Sequence, residues 1–553
     1  MKRIIHIILI LGISALGLNA QDTLIREVIV EKQYTPTMDI KNKINDLPFL
    51  NDTAIIKPLV QYYVIPHELE SGFELTPLKP ARLLGVPISK LYNSYVRVGF
   101  GNYITPMAEF YTQSNRNRGL LWGAYAKHNG HYGKIHLDND KKVSIDQGTT
   151  EVSGFAKKMF EKSVLSANLD VTHRTNLFYG LNPAIDTVIN NKNLKQKYTG
   201  GQFSAIYKSL NSDSNSWNYE VIAKSGIFND NFKNKQTNLG VTTFIDKYLK
   251  QNKLGIHASY NGNMYTKDTF NVSILNVRPY LNRRTEHFNI YVGLNAFVLN
   301  DIRQSKTFIN PVGLIEYNVF NYYVIPYVGV GGEPTINDWQ SISYENPYIA
   351  PGLHVKPSNT EIRFYGGVKG NYSPKLSYNI GYLYQVIDNQ YFFVNDTSSN
   401  LMNHFVVLYD DIEHSQYMVE LQFNYSKRLR FLAKAERNKY LMQKLAQPFH
   451  KSLLSGSFAI LYSIADKIQC FTEIIYQDKR YVQQLSTFNK PEYTKIPLDL
   501  NPYLNANLRI EYRYSSVLSG FISLNNIASQ KYQEWNFYPT LRFHGLIGIT
   551  YAF

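Results

Sequence analysis

FHGLIGITYAF, the stretch from Phe543 to Phe553, decides the fold of this chain. One face of the extended stretch is apolar and carries Phe543, Ile547, Ile549, Tyr551 and Phe553. The other face is polar or small and carries His544, Gly548, Thr550 and Ala552, with Leu546 as the exception. A strand with this period of two and a terminal aromatic residue predicts the closing strand of a transmembrane β-barrel.

The segment before this strand strengthens the prediction. The runs Leu524 to Ile527, Gln530 to Trp535 and Tyr538-Pro539, followed by Gly548 to Phe553, resemble the C-terminus of TonB-dependent outer-membrane receptors. The resemblance implies an outer-membrane barrel that takes part in solute uptake or passage. It also implies that Tyr551 and Phe553 form the C-terminal signal for the barrel-assembly machinery. It does not reach the plug domain of those receptors, so we expect a short form that lacks a plug.

The first twenty residues predict the cellular compartment. Lys2 and Arg3 precede an apolar run from Ile4 to Leu18, and Leu18-Asn19-Ala20 fits a cleavage site before Gln21. We therefore expect residues 1–20 to be a signal peptide and the mature protein to lie in the cell outer membrane. Beyond this segment the sequence has no apolar run of about 18 residues, which argues against membrane-spanning helices.

Alternation elsewhere predicts the architecture. Apolar and polar residues alternate in Ile362 to Tyr372, Val419 to Tyr425 and Pro502 to Tyr514. Tight polar junctions alternate with longer connections from Tyr95 to Phe553, which predicts about eleven ascending and about eleven descending strands. The aromatic content of 14%, with 44 Tyr, suits the two aromatic girdles of such a barrel. The predicted fold is all-β, a transmembrane antiparallel barrel of about 22 strands over residues 95–553, behind a short proline-rich extension.

The extension covers residues 21–94. Seven prolines between Pro36 and Pro87 predict an extended segment, either periplasmic or partly inside the lumen. Within it, Glu27, Val28, Ile29 and Val30 resemble the short box through which receptors recruit TonB by strand addition. An ordinary strand is the alternative interpretation of these four residues.

Charged residues of both signs occupy positions predicted to face the lumen. They suit a hydrated wall, and the alternative is a binding surface for a charged or sugar-like solute. The candidate lumen-facing residues are Glu220, Lys224, Arg363, Lys369, Glu420, Arg430, Lys434, Glu436, Arg509, Glu511 and Arg513.

Composition limits the partners. The formal net charge of the chain is +15. Most of the basic clusters, such as Arg283-Arg284, lie at the predicted periplasmic rim, where anionic lipid headgroups would neutralise them. Outer-membrane lipid and lipopolysaccharide are the expected partners, with TonB or a surface lipoprotein as further candidates, whereas nucleic acid is not expected.

No catalytic motif is recognisable, so an enzyme is not predicted, and neither is a cofactor. His128 and His131 could approach a metal, but a turn at Asn129-Gly130 is the favoured interpretation.

Two classes of function remain open from the sequence. The first is uptake or passage of a solute through the barrel. The second is a non-transporting barrel that acts as a scaffold or as an assembly or secretion component of the envelope. A barrel of about 22 strands is too wide for its wall side chains to fill, so something must block it. The candidates are residues 34–90, which we favour, and the loop from Gly332 to Thr360 with Trp339, Tyr344 and Tyr348.

Overall fold

The computed structural model describes residues 92–553 except 115–118, 138–140, 182–193, 211–215, 266–270, 303, 354, 399–400 and 484–498. The predicted signal peptide, the box at Glu27 to Val30 and nearly all of the proline-rich extension lie outside the described residues. The domain boundaries at residues 20 and 94 therefore stay predictions.

The described residues form a closed antiparallel barrel of twenty-two staves. Each stave is one strand, except that β15 and β16 together make one, interrupted at Gly332-Glu333. The wall strands are β1 Ser94–Gly101, β2 Thr105–Gln113, β3 Leu120–His131, β6 Gln147–Met159, β7 Ser163–Leu177, β8 Lys195–Ser209, β9 Asn218–Asp230, β10 Lys235–Leu249, β11 Asn252–Tyr265, β12 Val272–Arg284, β13 Phe288–Asp301, β14 Gln304–Tyr317, β15 Ile325–Gly331, β16 Pro334–Thr335, β17 Ser358–Ser373, β18 Leu376–Asn395, β19 Phe405–Ser426, β20 Leu429–Met442, β21 Leu454–Ile464, β22 Ile468–Gln477, β25 Tyr503–Arg513, β26 Leu518–Asn525 and β29 His544–Ala552.

Three small hairpins and one helix lie in the connections between wall strands. The hairpins pair β4 with β5, β23 with β24, and β27 with β28. Their bounds are β4 Lys134–His136, β5 Lys142–Ser144, β23 Arg480–Tyr481, β24 Asp499–Leu500, β27 Gln533–Trp535 and β28 Tyr538–Pro539, and the helix is α1 Trp339–Glu345.

The last strand closes the barrel against the first. β29 pairs with β1 from Tyr95 opposite Ala552 to Gly101 opposite Leu546. The backbone N–H of Phe553 donates to the Ser94 carbonyl at 2.8 Å, and the Phe553 carbonyl accepts from Ser94 N–H at 3.1 Å. The predicted antiparallel barrel of about 22 strands is confirmed, and every stave is paired on both sides.

The period-two pattern puts apolar side chains on the outside. In β29, Ile547 is 63% exposed and Ile549 55% exposed, whereas Thr550 and Ala552 are buried on the inner side. The same alternation continues around the wall. An apolar belt on a closed sheet is the surface that a bilayer covers, so the outer-membrane location expected from the sequence is confirmed. Within the described residues, no helix has both the length and the apolarity needed to cross a bilayer.

The two ends of the barrel differ. At one end, the turn end, the strands are joined by tight connections, such as Ala465 to Lys467 between β21 and β22. At the other, the loop end, longer connections carry α1 and the three small hairpins.

The predicted turn at Asn129-Gly130 is wrong, because β3 continues through both residues and pairs Gly130 with Gly148 of β6.

Wall height also differs around the barrel. β18 and β19 have 20 and 22 residues, while β1 and β26 beside the closing strand have 8 each. A strand needs only about 9–11 residues to cross a bilayer. The upper parts of β18 and β19 therefore extend beyond the membrane and support the connections of the loop end.

Candidate functional site: the lumen and the loop core

Buried apolar residues from the connections at the loop end form one cluster, here called the loop core. Its members come from the β4–β5 hairpin, the end of β7 and its connection, α1 and the residues after it, the β18–β19 junction and the β27–β28 hairpin, together with inner-face residues of β8 and β9. The buried members are Ile135, Leu137, Ile145, Leu177, Phe178, Tyr179, Leu194, Tyr198, Phe228, Trp339, Ile342, Tyr348, Ile349, Phe393, Phe405, Trp535 and Tyr538.

The connection that carries α1 reaches across the lumen. It leaves the wall at β16 and returns at β17, yet it contacts side chains of β7 to β10, far around the barrel. Strand spacing and tilt give a barrel of 22 strands a radius of roughly 22 Å. Contacts between staves so far apart are possible only if the connection folds inward over the opening.

Helix α1 is anchored to the opposite wall. Its N-cap Asp338 accepts a hydrogen bond from Ser341 N–H at 2.6 Å, which satisfies a backbone donor of the first turn. Trp339 is 3% exposed and meets Phe228 of β9 edge-to-face, with ring centroids 5.1 Å apart. On β7, Arg174 donates to the Ser343 carbonyl at 3.0 Å. Apolar contact and buried hydrogen bonding thus hold the helix to strands on the far side.

Three tyrosines join the connections at the centre of the loop core. Tyr348, which follows α1, stacks on Tyr538 of β28 with ring centroids 3.6 Å apart. Tyr179 packs edge-on against Tyr538 at 4.9 Å, and its hydroxyl donates to the Pro539 carbonyl at 3.0 Å. Burial raises the pKa of all three hydroxyls, so they stay neutral donors at any physiological pH.

Buried polar contacts complete the joining. The Tyr538 hydroxyl donates to the Asn403 carbonyl, and Asn403 Nδ2 donates to the Phe178 carbonyl at 3.3 Å. Asn536 Nδ2 donates to Asn395 Oδ1 at 2.8 Å. These bonds connect three separate stretches of the chain, and each would leave a buried polar group unpaired if its partner moved away.

One side of the loop core contains a buried histidine. His450 Nδ1 donates to the Phe393 carbonyl at 2.9 Å, and its ring lies 5.3 Å from that of Trp535. Burial, with added repulsion from Arg480 and Lys451, lowers the pKa of His450 to about 3. The ring is therefore neutral at physiological pH. Nearby, burial raises the pKa of Glu534, an effect that Arg480 partly opposes.

Below the loop core, strand alternation places all eleven candidate lumen-facing residues on the side opposite the exposed apolar belt. Several pair with each other or with neighbouring strands. Lys369 Nζ lies 2.8 Å from Glu316, and Lys434 Nζ lies 2.8 Å from Glu436 and 3.4 Å from Glu420. Their proposed role as a solute-binding surface stays a prediction.

The remaining candidates distribute over the wall as follows. Arg363 Nε donates to Gln385 at 3.1 Å, and Lys224 lines a cavity on the inner wall. Four others are placed by register opposite inner-face neighbours: Glu220 opposite Lys208, Arg430 opposite Asn424, Arg509 opposite Ser523 and Arg513 opposite Ser519.

Glu511 is the exception among the candidates because it is buried. It accepts from Arg97 at 3.4 Å and from the Ser519 hydroxyl at 2.8 Å, and the Arg97 guanidinium lies 4.0 Å above the Phe521 ring. Both ionic side chains are almost inaccessible, at 6% and 4% exposure. Instead of facing solvent, Glu511 of β25 forms an ion pair with Arg97 of β1, across β26 and β29, which lie between these two strands.

The sequence indicated only part of this site. The long loop with Trp339 and Tyr348 was a candidate for blocking the lumen, and both residues are buried in the loop core, whereas Tyr344 is exposed. The contributions of Tyr179, Phe405 and Tyr538 were missed, since Tyr179 lies in an irregular connection and the other two begin strands at the edge of one, where no periodic pattern extends. In the described part of the chain, no group of three or more potential metal ligands comes together.

The barrel is similar in fold to solved structures of receptors and of a transporter. The siderophore receptor PirA from Acinetobacter baumannii aligns with a TM-score of 0.64 at 9% identity, covering 84% of this chain and 80% of that chain. The FrpB iron transporter from Neisseria meningitidis gives 0.63 at 11%, covering 84% and 82%. The ferric-catecholate import receptor Fiu from E. coli K12 gives 0.62 at 9%, with the same coverage as FrpB. At these identities the likeness establishes the fold.

No family model matches the chain, and no curated protein sequence matches it.

Proposed function

We propose that this protein is an outer-membrane barrel through which a solute enters the cell, and that the loop core is its gate. The observation that carries the proposal is the α1 connection, which crosses the lumen and packs against β7 to β9 on the far wall. A polar wall below a folded closure is the arrangement of a gated pathway. The barrel shape shared with import receptors supports uptake as the direction.

A second part of the proposal concerns coupling to TonB and the absence of a plug domain from the lumen. Val30 to Thr37 and Asn42 to Pro48 resemble the leader of short, apparently plug-less relatives of these receptors, which supports a form without a plug domain. Glu27 to Val30 would then recruit TonB by adding a strand, a mode that depends on backbone N–H groups. Ile29→Pro removes one such donor and should abolish TonB-dependent uptake while leaving barrel folding intact, and Ile29→Val is the matched control.

Liposome swelling with four variants tests the proposal. One is the mature wild type, one replaces residues 333–356 with a short Gly-Ser linker, one lacks residues 21–90, and one combines both changes. We expect swelling with small sugars to rise strongly when 333–356 are replaced. A replacement of Ala465-Asp466 at the turn end is the control and should behave as wild type.

The other outcomes discriminate between the alternatives. Opening only on removal of residues 21–90 would assign the block to the extension and overturn the gate assigned to the loop core. A double variant that folds and still admits no solute would overturn transport. The buried contacts of the loop core would then be those of a permanently sealed scaffold.

A further inference from the structure

The inner wall of β8 to β12 contains a cavity of about 440 Å³ beneath the first residues of the α1 connection. This volume falls in the range of about 300–1,000 Å³ that is typical of small-molecule sites. The cavity is separate from the loop core, since its lining comes from wall strands and residues 333–338. None of its lining residues except Lys224 was a candidate from the sequence.

Side-chain amides dominate the polar lining. They project from four of the five neighbouring strands β8 to β12, with Gln202 on β8, Asn238 on β10, Asn261 and Asn263 on β11, and Asn276 on β12. Each amide offers a donor and an acceptor at neighbouring positions. Hydroxyl groups of a sugar or polyol have the same dual character, so such a lining matches a polyhydroxylated solute.

Charge in the cavity is balanced. Lys224 and Arg278 contribute two cations, and Glu333 and Asp338 contribute two anions. With no formal net charge, the site does not favour an anionic or a cationic ligand by long-range attraction. Ile274 and Phe297, both buried, add an apolar strip that suits the C–H face of a sugar ring.

Two buried polar atoms on β12 have no hydrogen-bond partner. Asn276 is 5% exposed and its Oδ1 is unpaired, and so is the Nε of Arg278. The Arg278 guanidinium is already held in place through Nη2 at 3.2 Å from His257 Nδ1. Buried polar groups are normally satisfied, so an unpaired acceptor on Asn276 and an unpaired donor on Arg278, two residues that line the same cavity, indicate a ligand that bridges them.

We propose that this cavity binds a neutral oligosaccharide, with Asn276 Oδ1 accepting and Arg278 Nε donating a hydrogen bond to its hydroxyl groups. The assignment deepens the proposed function and depends on it for the identity of the cargo. Asn238 Nδ2 also donates to Gln340 of α1 at 3.4 Å, so the site adjoins the helix of the loop core. Trp339 beside Gln340 is therefore a nearby fluorescent reporter.

Calorimetric titration of the full-length mature protein in detergent tests the assignment. The probes are maltotriose, cellotriose and xylotriose, with citrate as the anionic comparator. At least one trisaccharide should bind, and Asn276→Leu should weaken its binding tenfold or more. Asn424→Leu, on the inner wall near the turn end, is the matched control and should change affinity less than twofold.

Folding is checked by the gel shift of unboiled samples. If Asn276→Leu does not fold, Asn261→Ser takes its place with the same criterion. The assignment is overturned if no trisaccharide binds, if only citrate binds, or if a folded variant binds as wild type does. These results are independent of the swelling assay: lost binding with retained solute passage refutes the sugar site alone, and retained binding without passage refutes transport alone.

Discussion

Replacement of Trp339 by Ala should open the loop core while leaving the barrel wall folded. The indole is 3% exposed and packs against Phe228 and Tyr198, with ring centroids at 5.1 and 6.0 Å. Truncating a buried Trp to Ala costs about 3–5 kcal/mol. If this free energy is lost from the closed form of the loop core and not from the open form, the population of the open form rises by about two to three and a half orders of magnitude.

The four tryptophans of the chain make this measurable. Trp122 and Trp217 are 48% and 59% exposed, whereas Trp339 and Trp535 lie in the loop core. In a background with Trp122→Phe and Trp217→Phe, Trp339→Ala leaves Trp535 as the sole emitter. Acrylamide should then quench it far more strongly than it quenches the buried pair in the parent, and liposome swelling should rise in parallel.

Phe458→Ala is the control, because that ring is 39% exposed on the outer face of β21 and its loss leaves the loop core intact. The reasoning is refuted if the Trp339→Ala variant is folded, shows weak quenching of Trp535 and swells liposomes at the parental rate. The contacts of α1 with β8 and β9 would then contribute nothing to closure.

Acidification from pH about 6.5 to about 3 should loosen the loop core, because His450 takes up a proton at higher pH in the open form than in the closed form, where its pKa is about 3. Acrylamide quenching of Trp535 should therefore rise as the pH falls, and the rise due to His450 should be absent in His450→Gln. Identical quenching profiles for the variant and its parent would contradict the idea. Glu511→Gln should lower the melting temperature of the folded band on unboiled gels, since a buried ion pair broken on one side costs about 3–5 kcal/mol. The double variant Arg97→Met with Glu511→Gln should recover much of that loss, and equal melting of single variant and parent would show that the pair is dispensable. Deletion of Phe553 should reduce the folded fraction because three backbone hydrogen bonds to Asn93 and Ser94 disappear, whereas Phe553→Tyr should fold normally; full folding of the deletion would argue against the closing role of this residue.

The wall of the barrel was predictable because its physical signal is periodic. A lipid-facing strand must alternate, so the sequence from Phe543 to Phe553 predicted both the strand and its outer face. The even strand number followed from alternating tight and long junctions. The prediction failed at Asn129-Gly130 because it relied on local turn propensity, which favoured a hairpin there. Pairing of β3 with β6 along its full length determined the structure instead.

The site was much less predictable because its residues are joined by tertiary packing rather than by spacing. Nothing near Tyr348 in the sequence indicates that its ring stacks on Tyr538. Glu511 had the pattern of a lumen residue, and the alternation gave its face correctly, yet its partner Arg97 lies at the other end of the barrel sequence. The amides around Asn276 carry no motif, since ordinary lumen walls are also rich in polar residues.

The composition of the loop core also dictates the order in which the protein can mature. Its residues range from Ile135 to Tyr538, so the cluster has very high contact order and cannot consolidate until the last hairpin has crossed the membrane. Each connection must therefore be translocated as unpacked chain, with its aromatic side chains exposed. A newly inserted barrel passes through a leaky stage, and pulse-labelled amide exchange should show protection first along the staves and only afterwards around Tyr348 and Tyr538.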